Sequence, residues 1–425
     1  MIDRVLLSLL LVVIPAGCWA DDLVEFLSGS KLTGNVKQIR KEQKEFDFEV
    51  TVGARTSVRT YPFNRVHAVT MNGKRFVLTK MSSPVTADAE ANGSRSRTEI
   101  EQLIKTVGGS PPDWLASTEL EYPPSLDLSW PLKVEGGWNN QKNMGQYIWD
   151  VINPNPTRWR GGIKLVYHCM SLHEDQPELL RRDMQALAGM YFRFEQDYAR
   201  AAYWFQRAGV QKMSQIGVKL AECYWRLGNA EMAMQQLHAG RNIIGSPPTV
   251  KLLGDMGATD KAIQLANQLG SSAAAVPAFL AAGDALRMAG RSQEAIEFYE
   301  NVIASDQHRN KDYEQRFKAR AQESIEAIRL FDQADPAKVA DGTYQGFSTG
   351  YNGRLDVAVK VSDGKIESVK VTGHKEKQFY SALTDTEASI LELQSVRGVD
   401  GTSGATITSQ AIVNAAAKAL ASAAQ

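Results

Sequence analysis

Near the C-terminus, one short string gathers the side chains best placed to do chemistry: Asp400-Gly401-Thr402-Ser403-Gly404-Ala405-Thr406. It offers hydroxyls and a carboxylate among residues that carry almost no bulk. Gly404 and Ala405 leave the space beside Thr406 open, so a second active site can close over its hydroxyl. An unassisted threonine is a poor nucleophile at neutral pH, so its activation would have to come from outside. A helical pattern runs from Ser409 to about Ser422. The unpaired backbone N–H groups at the start of such a helix favour an anion. The bland alternative is a Gly-Ala turn capping an Ala-rich helix.

The elements that must position this string are also legible. Asp341-Gly342-Thr343-Tyr344 opens the segment, with Gly346 and Gly350 after it. Leu355–Val361 alternates as a strand, Asp363-Gly364 is a hairpin turn, and Ile366–Val371 alternates as the returning strand. An α+β domain over residues 340–425 is expected.

These residues resemble the FMN-binding domain shared by the flavin-carrying subunits of sodium-pumping quinone reductases and related electron-transfer complexes. The resemblance rests on the DGTY opening, the DGKI hairpin and the terminal DGTSGAT string, in that order. It implies that a flavin transferase takes FMN from FAD and leaves it as a phosphoester on the last hydroxyl of the string. Asp400, Ser403, Gly404, Ala405 and Thr406 match the family's pattern without departure, and the resemblance then makes Thr406 the acceptor, with Asp400 either holding the shape of the loop or meeting the transferase's metal during transfer. FMN bound without a covalent link, or lost, is the variant reading. The ring could rest against Tyr344, Phe347 or Tyr351, although each reads first as core. His374 reads as an exposed loop residue.

Upstream, residues 162–335 turn helical and repetitive. Gly189, Phe192, Tyr198, Ala201, Phe205 and Ala208 form one unit. Tyr224, Gly228, Ala233 and Leu237 form the next. Gly257, Ala262 and Ala266 mark a degenerate third, and Gly283, Gly290, Ala295, Tyr299 and Val302 a fourth. The repeat length lies near the ~34 residues of a tetratricopeptide unit, and the small/large pattern resembles that family. An all-α solenoid follows, closed by a helix at Asp312–Phe331. Such arrays bind protein partners or hold domains apart.

Residues 21–80 read as a small SH3-like β-barrel. The strand signals are Leu23–Phe26, Phe46–Val52 and Arg65–Val69, and Gly29, Gly34, Gly53 and Asn72-Gly73 supply turns. Residues 81–97 read as a flexible linker. A short helix is expected at Thr98–Val107. Residues 98–161 form a connector rich in Pro and Trp, holding Trp114, Trp130, Trp138, Trp149 and Trp159. So many large rings predict an ordered strap packed on the helices that follow, with an aromatic ligand platform as the sharper reading.

The chain has 425 residues, with 48 basic and 48 acidic side chains. That balance leaves no basic footprint for nucleic acid. Met1–Arg4 and the apolar run Val5–Ile14, followed by Pro15-Ala16-Gly17, have the order of a secretory signal over residues 1–20. Cleavage after Ala20 is the favoured reading. Ala16-Gly17-Cys18 resembles a lipoprotein signal, and acylation of Cys18 would tie the chain to a membrane. Cys169 and Cys223 read as buried free thiols. There is no Walker loop, HExxH, GxSxG, CxxCH or calcium loop in the sequence, so neither a catalytic residue nor a metal site is assigned.

The sequence therefore reads as an exported, multidomain electron carrier, located in the periplasm or envelope, more than an enzyme with its own substrate. Its expected partners are the flavin transferase, redox proteins and a protein bound by the repeats. The competing reading is an envelope scaffold with a sensory or vestigial flavin domain. A small-molecule reductase is a third.

Overall fold

A computed structural model describes residues 22–26, 31–41, 43–52, 55–63, 66–71, 74–78, 95–131, 137–210, 215–239, 242–376, 381–402 and 405–423. The signal at 1–20, the linker up to residue 94, Ser403 and Gly404 lie outside the described residues.

Six antiparallel strands come first: β1 (Asp22–Phe26), β2 (Lys31–Arg40), β3 (Glu45–Val52), β4 (Arg55–Pro62), β5 (Val66–Met71) and β6 (Lys74–Val77), in the order β4-β3-β2-β1-β5-β6. Period-two alternation sends Phe46 and Phe48 to one face, where they meet edge-on at 6.3 Å with Tyr61 beside them. The long β2 serves two partners. Its residues up to Gly34 pair with β1 and those from Asn35 pair with β3, the latter pairing shifting register between Val36 and Gln38. No pairing joins β4 to β6 among the described residues.

The helix expected at Thr98–Val107 is present as α1 (Arg97–Leu103) with a wider turn at Ile104–Gly108. The expected linker runs too far at its C-terminal end. Ser96 and Glu99 form a reciprocal capping box that starts α1. Arg95 N–H donates to the Gly228 carbonyl at 3.0 Å, and Asn229 Nδ2 donates to the Arg95 carbonyl at 2.7 Å. Residues 95–97 are thus ordered against the helices downstream.

The Trp-rich stretch is irregular, with only α2 (Met144–Tyr147) and single turns before α3 (Trp159–Leu172). Its rings are held one by one. Trp159 stacks on Phe194 at 4.9 Å, and the Arg160 guanidinium lies 5.0 Å from the Trp114 ring. Trp130 Nε1 donates to the buried Asp183 at 2.6 Å, whose other oxygen meets His173 Nδ1 at 2.7 Å.

Helices α4 (Pro177–Met190) and α5 (Tyr198–Arg207), α6 (Gln215–Arg226) and α7 (Ala230–Leu237), α8 (Pro247–Asp255) and α9 (Thr259–Leu269), and α10 (Ala275–Met288) and α11 (Ser292–Ala304) follow as antiparallel pairs. A two-residue ribbon, β7 (His238–Ala239) and β8 (Asn242–Ile243), links the second pair to the third. The closing helix is α12 (Lys311–Leu330). Each pair turns through a left-handed residue: Gln196 (φ 50°), Gly228 (φ 100°), Gly257 (φ 75°) and Gly290 (φ 72°). Where helices cross, a side chain would not fit. A Cβ at Gly254 would lie 2.4 Å from the Ala285 Cβ, and one at Gly283 would lie 2.7 Å from the Tyr299 ring. Cys169 and Cys223 are both buried and unbridged.

The C-terminal domain has β9 (Gly342–Thr349), β10 (Arg354–Ser362) and β11 (Lys365–His374) in the antiparallel order β11-β10-β9, with α13 (Ser381–Leu393) and α14 (Thr406–Ala421). Asp363 (φ 51°) and Gly364 (φ 67°) make the expected hairpin turn. Leu355, Val357, Val359 and Val361 face inward, and α14 lies across β9 and β10. It approaches so closely that a Cβ at Gly346 would stand 2.1 Å from the Ala415 carbonyl oxygen. α13 has no counterpart in the sequence reading. It is buried nearly all round, touching β11 and α14 on its own side and β2 and β3 of the first sheet on the other. A helix covered on every side shows no amphipathic stripe to read.

The molecule is thus multidomain: an antiparallel sheet, a helical region and an α+β domain. The helices do not hold the outer domains apart. α12 packs on α14 and β9. Glu323 accepts from Thr349 N–H and Oγ1, each at 2.6 Å, and from Ser348. Gln196, in the first helical turn, bonds Asp385 of α13.

Candidate cofactor attachment site

The string lies between α13 and α14, and its last residue is not where the sequence reading put it. α14 begins at Thr406 rather than Ser409, so the candidate hydroxyl sits on the first residue of the helix instead of in the loop before it. The reason is local. Ser409 binds the loop to the helix: its Oγ accepts from Thr402 N–H at 3.0 Å and donates to the Ala405 carbonyl at 3.3 Å. Its own N–H closes the first helical bond onto Ala405, and Ala405 N–H donates to the Thr402 carbonyl at 2.9 Å.

Ala405 is the N-cap and supplies no side-chain cap. The first-turn N–H groups of any α-helix have no intrahelical acceptor, and Ala405 offers them no side-chain cap. The half-buried Thr406 therefore joins a hydroxyl to an uncapped helix start. That combination fits a phosphoester.

Around Thr406, the described residues of the string are closely packed. Val399, Gly401, Thr402 and Ala405 are buried. A Cβ at Gly401 would lie 3.3 Å from Thr406 Cγ2, so the two ends of the string close on each other. Ala405 is itself buried rather than bordering open space.

Asp400 faces the helical region. Its Oδ2 pairs with Arg226 Nη2 of α6 at 2.6 Å, and its Oδ1 lies 4.0 Å from Lys251 Nζ of α8. Lys251 also pairs with Asp255, and Arg226 lies 3.8 Å from Glu222, with its guanidinium 4.3 Å from the Trp225 ring. Burial works to raise the Asp400 carboxyl, but Arg226 and Lys251 outweigh it and hold it below the usual carboxylate range. Burial dominates at Asp255, pushing it up to about 7 against the opposing pull of Lys251.

Neither Arg226 nor Lys251 was singled out from sequence. Glu222/Arg226 and Lys251/Asp255 are i,i+4 pairs, which on their own describe an ordinary solvated helix face. Only the folded array brings the two helices onto one carboxylate.

The aromatic candidates divide. Tyr344 is half-buried and donates to the Ala340 carbonyl at 2.8 Å. Phe347 is 48% exposed, with the Arg354 guanidinium 3.9 Å from its ring centroid and Lys418 Nζ at 5.6 Å. Tyr351 is half-buried, and burial raises its phenol. His374 ends β11 and is not in the loop expected for it. Among the described residues no group of His, Cys, Asp and Glu is arranged to hold a metal ion, and no helix is long and apolar enough to cross a membrane.

Comparison with known proteins identifies this domain. Residues 350–421 match the FMN-binding domain family. An uncharacterized protein of Treponema pallidum (strain Nichols) is 40% identical over 90 residues, which is 21% of this chain and 25% of that protein. The chain thus spans about a quarter of that relative's length. No solved structure matches. The C-terminal domain is an FMN-binding domain, FMN is its cofactor, and the chain is a flavin-binding protein.

Proposed function

We propose that this protein is an exported electron carrier whose FMN is attached through its phosphate to Thr406. The observation that carries this reading is the complete string from Asp400 to Thr406 ending on an uncapped helix start. In the attachment, Thr406 Oγ1 forms a bond to the flavin-side phosphorus of FAD. The anhydride bond of FAD breaks, AMP leaves, and the hydroxyl proton passes to the transferase or solvent. Bound FMN supplies the redox chemistry. The chain's own residues would hold it: Ser409 binds Thr402 and Ala405 to the helix, the N–H groups at the start of α14 would receive the phosphate, and Asp400 ties its end of the string to the helical region.

Two finer readings of the scaffold belong here. The hairpin turns at Gln196, Gly228, Gly257 and Gly290 recur at roughly the tetratricopeptide interval, which supports an array of that type. The division of β2 between two partners supports a small SH3-like barrel. Export rests on the order of residues in Met1–Ala20, with Cys18 as the residue that would carry a lipid.

Partner binding by the helical region is the second reading. It is favoured by a cleft of about 580 Å³ lined by Trp130, Trp138, Asn143, Gln146, Arg182 and Gln185. Electron carriage is tested directly. The protein is co-expressed with a flavin transferase, exported, and denatured in SDS. A fluorescent band lost in Thr406→Ala is the expected result. A dark wild-type band that releases free FMN from the native protein would mean non-covalent binding, and no flavin in either state would favour the scaffold.

A further inference from the structure

Four polar side chains of α14 are buried: Thr408, Ser409, Gln410 and Asn414. Ser409 binds Thr402 and Ala405, and Asn414 binds Arg287 and Ser324. The Thr408 hydroxyl lies beside the Glu376 carboxyl. Gln410 is different. It is 4% exposed, its Oε1 is shut off from solvent, and neither end of its amide has a hydrogen-bond partner among the described residues. An unbonded buried amide is costly, and native structures rarely leave one without a reason. Its place on the helix supplies the reason. Gln410 stands four residues after Thr406, so the two share one face of α14. In an α-helix the Cα–Cβ bonds tilt towards the N-terminus and long side chains lie back over the preceding turn. The Gln410 side chain therefore leans over the turn that opens with Thr406, a rise of about 6 Å. Further along the same face come Val413 and Ala417, both buried and without a polar side-chain atom.

We infer that Gln410 holds the flavin carried by Thr406: its amide nitrogen donates to the phosphate and its carbonyl oxygen accepts from a hydroxyl of the ribityl chain. This rests on Thr406 being the acceptor. The chemistry matches on both sides. An amide offers two N–H donors at one end and an acceptor at the other. The phosphate oxygens of FMN only accept, and the ribityl hydroxyls beside them can donate. A bare phosphate would satisfy the nitrogen and leave Oε1 as it is. The uncapped N–H groups at the start of α14 and the Gln410 amide then receive the same group from two directions.

The test compares the full-length protein made without a flavin transferase with the same protein after labelling by purified transferase, FAD and magnesium. Gln410→Leu removes the amide and keeps most of the side-chain volume. In the flavin-free protein it takes away an unbonded polar group, so the melting temperature should hold or rise. In the labelled protein it takes a hydrogen bond from a charged group, so the variant should melt below labelled wild type. A residue that only packs would shift both forms alike. Labelling, followed as flavin fluorescence in denaturing gels, should be about tenfold slower, the scale of one hydrogen bond to a charged group, and should reach the same end point.

A phosphorus-31 spectrum of the labelled protein supplies the local readout. The phosphate resonance should move in Gln410→Leu and stay in place in Gln345→Leu, a substitution at an exposed position of β9. If Gln410→Leu does not fold, Gln410→Met is read by the same measures. Equal melting shifts in both forms, or a phosphate resonance that stays in place, overturn the contact and leave Thr406 as the acceptor. Absence of Thr406-dependent labelling in every protein overturns the acceptor assignment, and the contact with it.

Discussion

Asn414, in the middle of α14, accepts a hydrogen bond through Oδ1 from Arg287 Nη1 of α10 at 3.0 Å, and both residues are buried. Its Nδ2 lies 3.3 Å from Ser324 Oγ of α12. One amide therefore joins the C-terminal domain to two helices of the array. Asn414→Leu would strand a buried guanidinium, and a lost bond to a charged group costs about 1.5–3 kcal/mol. Chemical denaturation followed by circular dichroism should show a loss of that size. A variant within about 0.5 kcal/mol of wild type, the scatter of ordinary surface substitutions, would mean that this contact does not tie the domain down.

Gly346→Ala should damage the C-terminal domain selectively. The new methyl would meet the Ala415 carbonyl oxygen at 2.1 Å, and backbone on both sides leaves no flexible end to move aside. Overpacking of this kind costs about 1–3 kcal/mol, sometimes more. Thermal melts should fall, and flavin recovered with the purified protein should fall with them. Unchanged melting and flavin content would contradict the close approach of α14 to β9.

Within the array, Gly283→Ala should be costly for a related reason. Its Cβ would press on the Tyr299 ring at 2.7 Å, and that ring is fixed by a 2.7 Å hydrogen bond from its hydroxyl to Asp284. A loss of about 1–3 kcal/mol is expected. Pairing it with Tyr299→Leu, which vacates the space, should recover part of the loss. Simple additivity of the two changes would show that they do not share the space.

Glu387 makes stability depend on pH. Burial pushes its carboxyl up to about 8, although Val371 N–H donates to it at 2.5 Å and opposes the shift. An unfolded glutamate titrates near pH 4.3. The folded form therefore keeps a proton that the unfolded chain gives up. Its contribution is fully present below about pH 4.3 and is lost as pH rises towards 8. Glu387→Gln, neutral at every pH, should flatten the decline of stability between pH 5 and pH 8. Denaturation midpoints across that range decide the matter, and an unaltered slope would remove Glu387 as its source.

How much of this was legible in the sequence depends on how local the cause is. The hairpin from Leu355 to Val371 was, because alternation and the Asp363-Gly364 turn are written within a few residues. The helical units were visible through Gly228, Gly257 and Gly290, whose left-handed turns require little beyond their own backbone. The start of α14 was misplaced by three residues because Ser409, read as the beginning of the helix, reaches back to fix Thr402 and Ala405. α13 went unread because its polar residues, among them Thr384, Thr386 and Glu387, are buried by neighbours distant in the chain. The string was singled out through its resemblance to a known family, and its anchorage to Arg226 and Lys251 was not legible at all. No local pattern tells which surface cation a distant carboxylate will meet.

α13 touches strands β2 and β3, so segments made at opposite ends of synthesis share one boundary. Joining them closes a loop of several hundred residues. Contacts of such long range come late and slowly in folding. The first sheet emerges with one of its surfaces still waiting for a helix that has not been made. Chains cut short after the helical region would carry that surface bare, and should be captured by chaperones or aggregate.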